Sequence, residues 1–314
     1  MADSEEREEA EPIGLDRSIQ KLEDRRASKE GRRVAGELKG QRARGWTEKL
    51  LTRTLSGVIY VVVILVCLYF GVLPTALLLS AMGWLCCSEF YRICRMAGRL
   101  PNEIVGLSVA IAYPLLAAYH SMRASMLLTC VFVLVTCTWY VFNSRANISD
   151  VAVTLFGPLY TSCALSFITL LRASNEGMGG ALLALLVIGA IWAEDSFAYL
   201  VGSTLGRHKM APRISPNKSW EGFVGGLLGS IGVWSLGAAF HVAWITWPVA
   251  LACGLCEGLV SVLGDLFESR LKRSVGVKDS GNLMPGHGGI LDRTDSLLFG
   301  SVVAYIVLFL GGVL

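Results

Sequence analysis

Charge is scarce in this chain once the first fifty or so residues are passed. Only 17% of its 314 residues are charged, against about a quarter in a soluble domain. Residues 1–54 hold 13 of the 28 lysines and arginines and 12 of the 25 aspartates and glutamates. The remaining sequence is too apolar for a water-soluble globule and reads as a polytopic membrane protein. The net charge is only +3, and no basic stretch is interleaved with aromatics for base stacking, which argues against a nucleic-acid partner. A disulfide framework is missing too. The nine cysteines are odd in number and sit in or beside apolar runs, so they read as buried free thiols. Cys253-x-x-Cys256 has no second pair and reads as packing. The N-terminus is acidic and apolar sequence begins only near Leu55, so no cleavable signal is expected. No internal repeat is present.

Residues 1–50 mix charges of both signs with few large apolar side chains, and we expect them to be disordered or loosely helical. Residues 51–314 form the expected membrane domain. Apolar runs lie at about Leu55–Leu73, Thr75–Ile93, Ile104–His120, Ala124–Phe142, Val151–Leu171, Ala181–Val201, Gly222–His241, Pro248–Phe267 and Ser296–Val313. Each is long enough to cross, at about 17–25 residues per span. The expected fold is an all-α bundle of about nine transmembrane helices. With the tail cytoplasmic, 26 of the 28 Lys and Arg fall on that side and only Arg123 and Arg172 on the other. That bias puts the N-terminus inside and the C-terminus outside.

One stretch gathers unusual chemistry. Ser269–Asp295 carries Arg270, Lys272, Arg273, Lys278 and Arg293, the carboxylates Asp279, Asp292 and Asp295, and His287 within Pro285-Gly286-His287-Gly288-Gly289. Glycines let a backbone approach an anion, cations neutralise phosphate, and spare carboxylates can hold a divalent cation. An ordinary basic loop between spans explains the cations but not three acids beside a GHGG turn. The combination points to a triphosphate–metal site.

Acids also lie within the spans, where charge is costly. Glu89 sits late in the second run, either with its head in interfacial water or as a structural partner. Asp195, Tyr199 and Gly202 share one helical face, at i, i+4 and i+7. Glu257, Ser261, Asp265 and Glu268 form a polar stripe that must line a cavity or meet partners. Asp292 and Asp295 open the last helix, where the dipole favours carboxylates. Simple capping would explain these two, but not Asp265 at the same level. Between the sixth and seventh runs, Pro212 and Pro216 stiffen a loop bearing Lys209, Arg213 and Lys218, and Ser219 can cap the next helix. Gly222, Gly225, Gly226, Gly229 and Gly232 permit close helix packing, within one chain or between two.

The pattern S-x-L-K-R-x4-K-D-x-G-x2-M-P-G-H-G-G-I-L-D-R-x-D, Ser269 to Asp295, resembles the signature of the phosphatidate cytidylyltransferase (CDP-diacylglycerol synthase) family, in its bacterial layout. Ser215-Pro216-x-Lys218-Ser219-x-Glu221-Gly222, and Asp195 with Ala198, Tyr199 and Gly202, resemble its second motif region. The resemblance covers roughly residues 50–314 and leaves out the tail. It implies transfer of CMP from CTP to phosphatidate, with pyrophosphate released, at the cytoplasmic face of a bacterial plasma membrane, by a homodimer. It implies Mg²⁺ paired with K⁺, held by Asp265 and Asp292. By position in the motifs, catalytic roles fall to Asp265, Asp292, Asp295, Lys272, Arg273, His287 and Arg293. Substrate binding falls to Asp195, Ser215, Lys218, Ser219, Glu221, Lys278, Asp279, Gly288 and Gly289. The nucleophile is a phosphate monoester, largely dianionic at neutral pH, so cations matter more than a general base. His287 then donates to a phosphate oxygen or orients its loop.

The nearest rivals are a CTP-dependent polyprenol kinase, which would release CDP, and an ether-lipid cytidylyltransferase. A secondary transporter would also use buried acids, but it would show repeated halves and acids at the midplane, whereas here all but Glu257 cluster toward one face.

Overall fold

The computed structural model describes residues 54–119, 122–175, 177–281, 283 and 288–314. The charged tail expected at residues 1–50 and His287 therefore lie outside the described residues. From Ser56 onward the chain forms one compact unit.

Among the described residues the α-helices are α1 (Thr54–Phe70), α2 (Val72–Met96), α3 (Glu103–Ala117), α4 (Met122–Phe142), α5 (Ile148–Pro158), α6 (Ala164–Ser174), α7 (Met178–Leu205), α8 (Trp220–Ala239), α9 (Trp247–Ser274) and α10 (Leu291–Leu310). A π turn at Leu159–Cys163 joins α5 to α6 as one span, Ile148–Ser174. It follows Pro158, which has no N–H for the regular ladder. Among the described residues, seven spans are long and apolar enough to cross a membrane: α2, α4, the α5–α6 unit and α7 to α10. The apolar α1 and α3 are shorter. The protein is thus an all-helical integral membrane protein, and each apolar run read from the sequence lies on one of these elements. One departure is a small hairpin, β1 (Lys209–Ala211) antiparallel to β2 (Ser215–Ser219), where the sequence suggested only a stiffened loop.

Local chemistry explains the joints. Gly71, at φ 127°, takes a backbone conformation that suits glycine and breaks α1 from α2. Asn102 caps α3 by accepting from Val105 N at 3.3 Å. Tyr91 is fully buried and donates to the Thr154 carbonyl at 2.7 Å. Its ring fills the space where a Cβ on Gly106 or Gly157 would stand, so α2, α3 and α5 lock around one phenol.

The core runs through α2, α6, α7 and α10, with Leu165, Leu171, Leu183, Ile188 and Leu298 closed off. By contrast α4 lies at the rim, with Leu127, Leu134 and Val141 exposed. That placement corrects one expectation: all nine cysteines are free, but Cys130 and Cys137 on α4 are exposed rather than buried.

The glycines of α8 face α7 within the chain. Gly222 packs on the Ala198 carbonyl, Gly225 on Val201, Gly226 on Glu194 and Ala198, and Gly229 on Phe197, while nothing approaches Gly232. Backbones that close leave room for polar groups at the helix ends but little for water between helices. Both α7 and α9 have 28 residues. At about 1.5 Å per residue each is about 42 Å long, more than a hydrocarbon core of about 30 Å. Each is long enough to extend beyond it, and the site is built on their C-terminal halves.

Candidate functional site

A cavity of about 570 Å³ opens between α7, the hairpin, α8 and α9. The expected i, i+4, i+7 face of α7 supplies Asp195, Tyr199 and Gly202, and α9 supplies Asp265. Ser215, Lys218 and Ser219 enter from β2. Close approach is built into the backbone. A Cβ at Gly222 would stand 2.7 Å from the Ala198 carbonyl, and one at Gly206 would collide with Ser219. Ser219 starts α8 by accepting from Gly222 N at 3.1 Å.

The charged groups on this wall are paired or grouped. Lys218 Nζ lies 2.6 Å from Asp265 Oδ2, and Ser269 Oγ donates to Asp265 Oδ1 at 3.0 Å. Ser261 donates to Glu194 at 3.3 Å. Asp195 is exposed to the cavity, and Asp295, half-buried on α10, lies close enough to Asp265 and Asp195 to feel their charge. The polar stripe of α9 therefore does line a cavity and meet partners. Its deepest member, the fully buried Glu257, accepts from the indole N–H of Trp234.

A second cluster stands where α9 ends and α10 begins. Lys272 Nζ lies 2.5 Å from Glu268 and 2.6 Å from Asp292 Oδ1. Asp292 also accepts from Ser280 N, at 2.9 Å to Oδ2, and from Gly289 N at 2.7 Å. Asp292 thus turns back onto the preceding loop instead of capping its own helix. The cap comes from elsewhere. Glu89 on α2 accepts from Ile290 N at 3.1 Å, Leu291 N at 2.9 Å and Ser280 Oγ at 2.7 Å. Arg92 donates to the Ser280 carbonyl.

The remaining expected residues are less central. Glu221 faces away from the cavity, accepting from His208 Nδ1 at 2.6 Å and from the backbone N–H of Arg207 and His208, so it holds the turn into β1. Arg273, Lys278, Asp279 and Arg293 are exposed. Gly288 has φ 82°, and a Cβ there would meet Asp292 Oδ2 at 2.5 Å. Glu89 is the residue whose role the sequence left open. Its signal was a carboxylate in an apolar run, with nothing local to identify the partner.

Comparison with known proteins identifies the family. The cytidylyltransferase family profile matches residues 51–310, which include both clusters. The chain belongs to this family. It is 34% identical over 264 residues to the phosphatidate cytidylyltransferase of Bacillus subtilis, covering 82% of this chain and 97% of that one. It is 34% identical over 245 residues to the protein of that name from Synechocystis, covering 69% of this chain and 82% of the relative. Against the Thermotoga maritima protein of the same name, identity is 46% over 133 residues, 41% of this chain and 49% of the other.

The metal implied by the resemblance can be tested against the donors. Among the described residues no three His, Cys, Asp or Glu side chains are grouped so as to enclose an ion. Mg²⁺ commonly takes one or two carboxylates plus substrate phosphates, so a closed protein cage is not required. Asp265 and Asp195 are hard oxygen donors of the right kind on the cavity wall, and Asp295 on α10 lies near enough to both to feel their charge. Asp292 suits the role less well, because Lys272 and two backbone N–H groups already occupy its carboxylate.

Proposed function

We propose that the protein is a phosphatidate cytidylyltransferase, converting CTP and phosphatidate to CDP-diacylglycerol and pyrophosphate in phospholipid synthesis. The observation that carries the reading is the family match across a chain whose two signature regions meet at Asp265, which pairs with Lys218 of one and accepts from Ser269 of the other. A lipid phosphate oxygen attacks the CTP α-phosphorus, a new P–O bond forms, and the bond to the β-phosphate oxygen breaks. The attacking phosphate is already largely dianionic, so no base need remove a proton. Lys218 stands at the cavity wall to meet phosphate charge, and Arg273, Lys278 and Arg293 are the exposed cations of the signature. Lys272, engaged by Glu268 and Asp292, holds that pair rather than reaching for substrate. His287 keeps the role of a phosphate donor or loop-orienting residue.

Asp265 and Asp295 would hold Mg²⁺, with K⁺ as a second ion. This departs from the Asp265–Asp292 pair that the resemblance implies, because of the N–H groups on Asp292. Bound metal would neutralise the triphosphate and the developing charge on pyrophosphate. We further propose nine crossings, counting α1 and α3, with the N-terminus inside and the C-terminus outside. The lysine and arginine bias supports this topology, and it puts the cavity at the cytoplasmic face of a bacterial plasma membrane. The working form is taken to be a homodimer that does not bind nucleic acid.

The deciding experiment incubates purified protein with α-labelled CTP, phosphatidate vesicles and Mg²⁺. Label in the lipid with pyrophosphate released supports the assignment. Release of CDP would make the protein a lipid kinase, and an absence of turnover would remove the enzymatic reading.

A further inference from the structure

Ser280 has three hydrogen-bonding groups, and all three are held. Its hydroxyl goes to Glu89, its N–H to Asp292, and its carbonyl accepts from Arg92. The other side of the same neck, Gly289 to Leu291, is held by the same two carboxylates: Gly289 N by Asp292, Ile290 N and Leu291 N by Glu89. Residues about ten apart in sequence are thereby pinned together from a helix about 190 residues away. Ile290, the residue before α10, has no side-chain acceptor to offer, so without Glu89 two N–H groups at the positive end of α10 would lose their partner.

The glycines bear the mark of this contact. A Cβ on Gly281 or on Gly289 would overlap the Glu89 carboxylate. Two glycines of the signature are small because a carboxylate from α2 is seated against them. Glu89 itself is 8% exposed and does not line the cavity, so it does not reach substrate there. What it fixes is the first turn of α10, the turn that carries Asp292 and Arg293 and leads into Asp295.

We propose that Glu89, outside both signature regions, is a positioning residue for cytidylyl transfer, setting the height and angle of the α10 N-terminus through the Ser280–Leu291 neck. The role rests on the reaction assigned above. Arg92, one helical turn on, seconds it by holding the Ser280 carbonyl.

The test compares full-length wild type with Glu89→Ala, Glu89→Gln and Ser280→Ala, each as its folded fraction in detergent. Hydrogen exchange is followed on the peptide covering Ile290 and Leu291, alongside kcat and KM for CTP. Loss of a carboxylate acceptor should speed exchange at these two amides about tenfold or more. For Glu89→Ala, kcat should fall about tenfold or more with KM for CTP changed less than about threefold, because the cavity wall is untouched. Glu89→Gln, which keeps one acceptor oxygen, should fall between alanine and wild type. Ser280→Ala removes a single hydroxyl and should show the same signature, weaker. Unchanged exchange in Glu89→Ala would overturn the proposal. So would faster exchange with kcat intact, or a rise in KM alone, which would make Glu89 a substrate contact. Wild type that makes no CDP-diacylglycerol would sink the reaction assignment instead, and the exchange arm would still decide whether Glu89 holds the neck.

Discussion

Lys218 and Asp265 meet at 2.6 Å, tying the β-hairpin to the C-terminal half of α9. Their side chains are 24% and 26% exposed, so the pair is open to the cavity and to whatever enters it. A lysine already held at a carboxylate is poised to exchange that partner for phosphate, leaving the carboxylate free for a cation. The pair is better suited to charge handling than to holding the fold together.

That distinction is measurable. Asp265→Asn should lower kcat/KM for CTP by about a hundredfold or more, as expected for lost transition-state stabilisation of about 3 kcal/mol. Stability should change by less than about 1 kcal/mol, because partly exposed pairs contribute little. Thermal unfolding in detergent alongside steady-state kinetics checks both. A large drop in unfolding temperature would make the pair structural.

Lys272 should behave in the opposite way. It is 11% exposed at the side chain, and its two partners, Glu268 and Asp292, are 0% and 4% exposed. Lys272→Met would strand two buried carboxylates, at a cost of about 3–5 kcal/mol. Adding Glu268→Gln should recover part of the lost stability by removing one of the stranded charges. If the double variant is no more stable than the single one, Lys272 is not the counterion this geometry describes.

Much of this was legible in the sequence because the chemistry is local or periodic. Asp195, Tyr199 and Gly202 fall on one helical face by spacing alone, and that face lines the cavity. Glu257, Ser261, Asp265 and Glu268 repeat along α9 in the same way, and Ser219 caps α8 as its position suggested. Asp292 reads from the sequence as a metal carboxylate, with capping as the alternative, and no local pattern shows that Ser280 and Gly289 offer it their N–H groups. Glu89 was visible as an oddity, but its partners lie about 190 residues on, a relation no local pattern encodes. The hairpin was hidden by Pro212 and Pro216, which read as loop, although Pro216 sits within β2.

Close packing of α7 on α8 gives a paired prediction from two glycines of one helix. A Cβ at Gly226 would stand 2.7 Å from Glu194 Oε1 and 2.8 Å from the Glu194 carbonyl, while nothing lies within 4 Å of a Cβ at Gly232. Gly226→Ala must push the helices apart and should destabilise by about 1–3 kcal/mol. Gly232→Ala should be neutral, or stabilising by up to about 1 kcal/mol, through helix propensity. Equal unfolding temperatures for the two variants would contradict the packing.

Deepest in the bundle, Trp234 donates its indole N–H to Glu257, and both side chains are fully inaccessible. Neither lines the cavity. Trp234→Phe keeps most of the aromatic volume but removes the donor, leaving a buried carboxyl without that partner at a cost of about 1–3 kcal/mol. Trp234→Phe combined with Glu257→Leu replaces both members with apolar groups and should restore much of the loss. Because neither side chain lines the cavity, kcat per folded molecule should match wild type in both variants. A selective loss of turnover in Trp234→Phe, with the unfolding temperature unchanged, would mean that Glu257 serves the reaction rather than the fold.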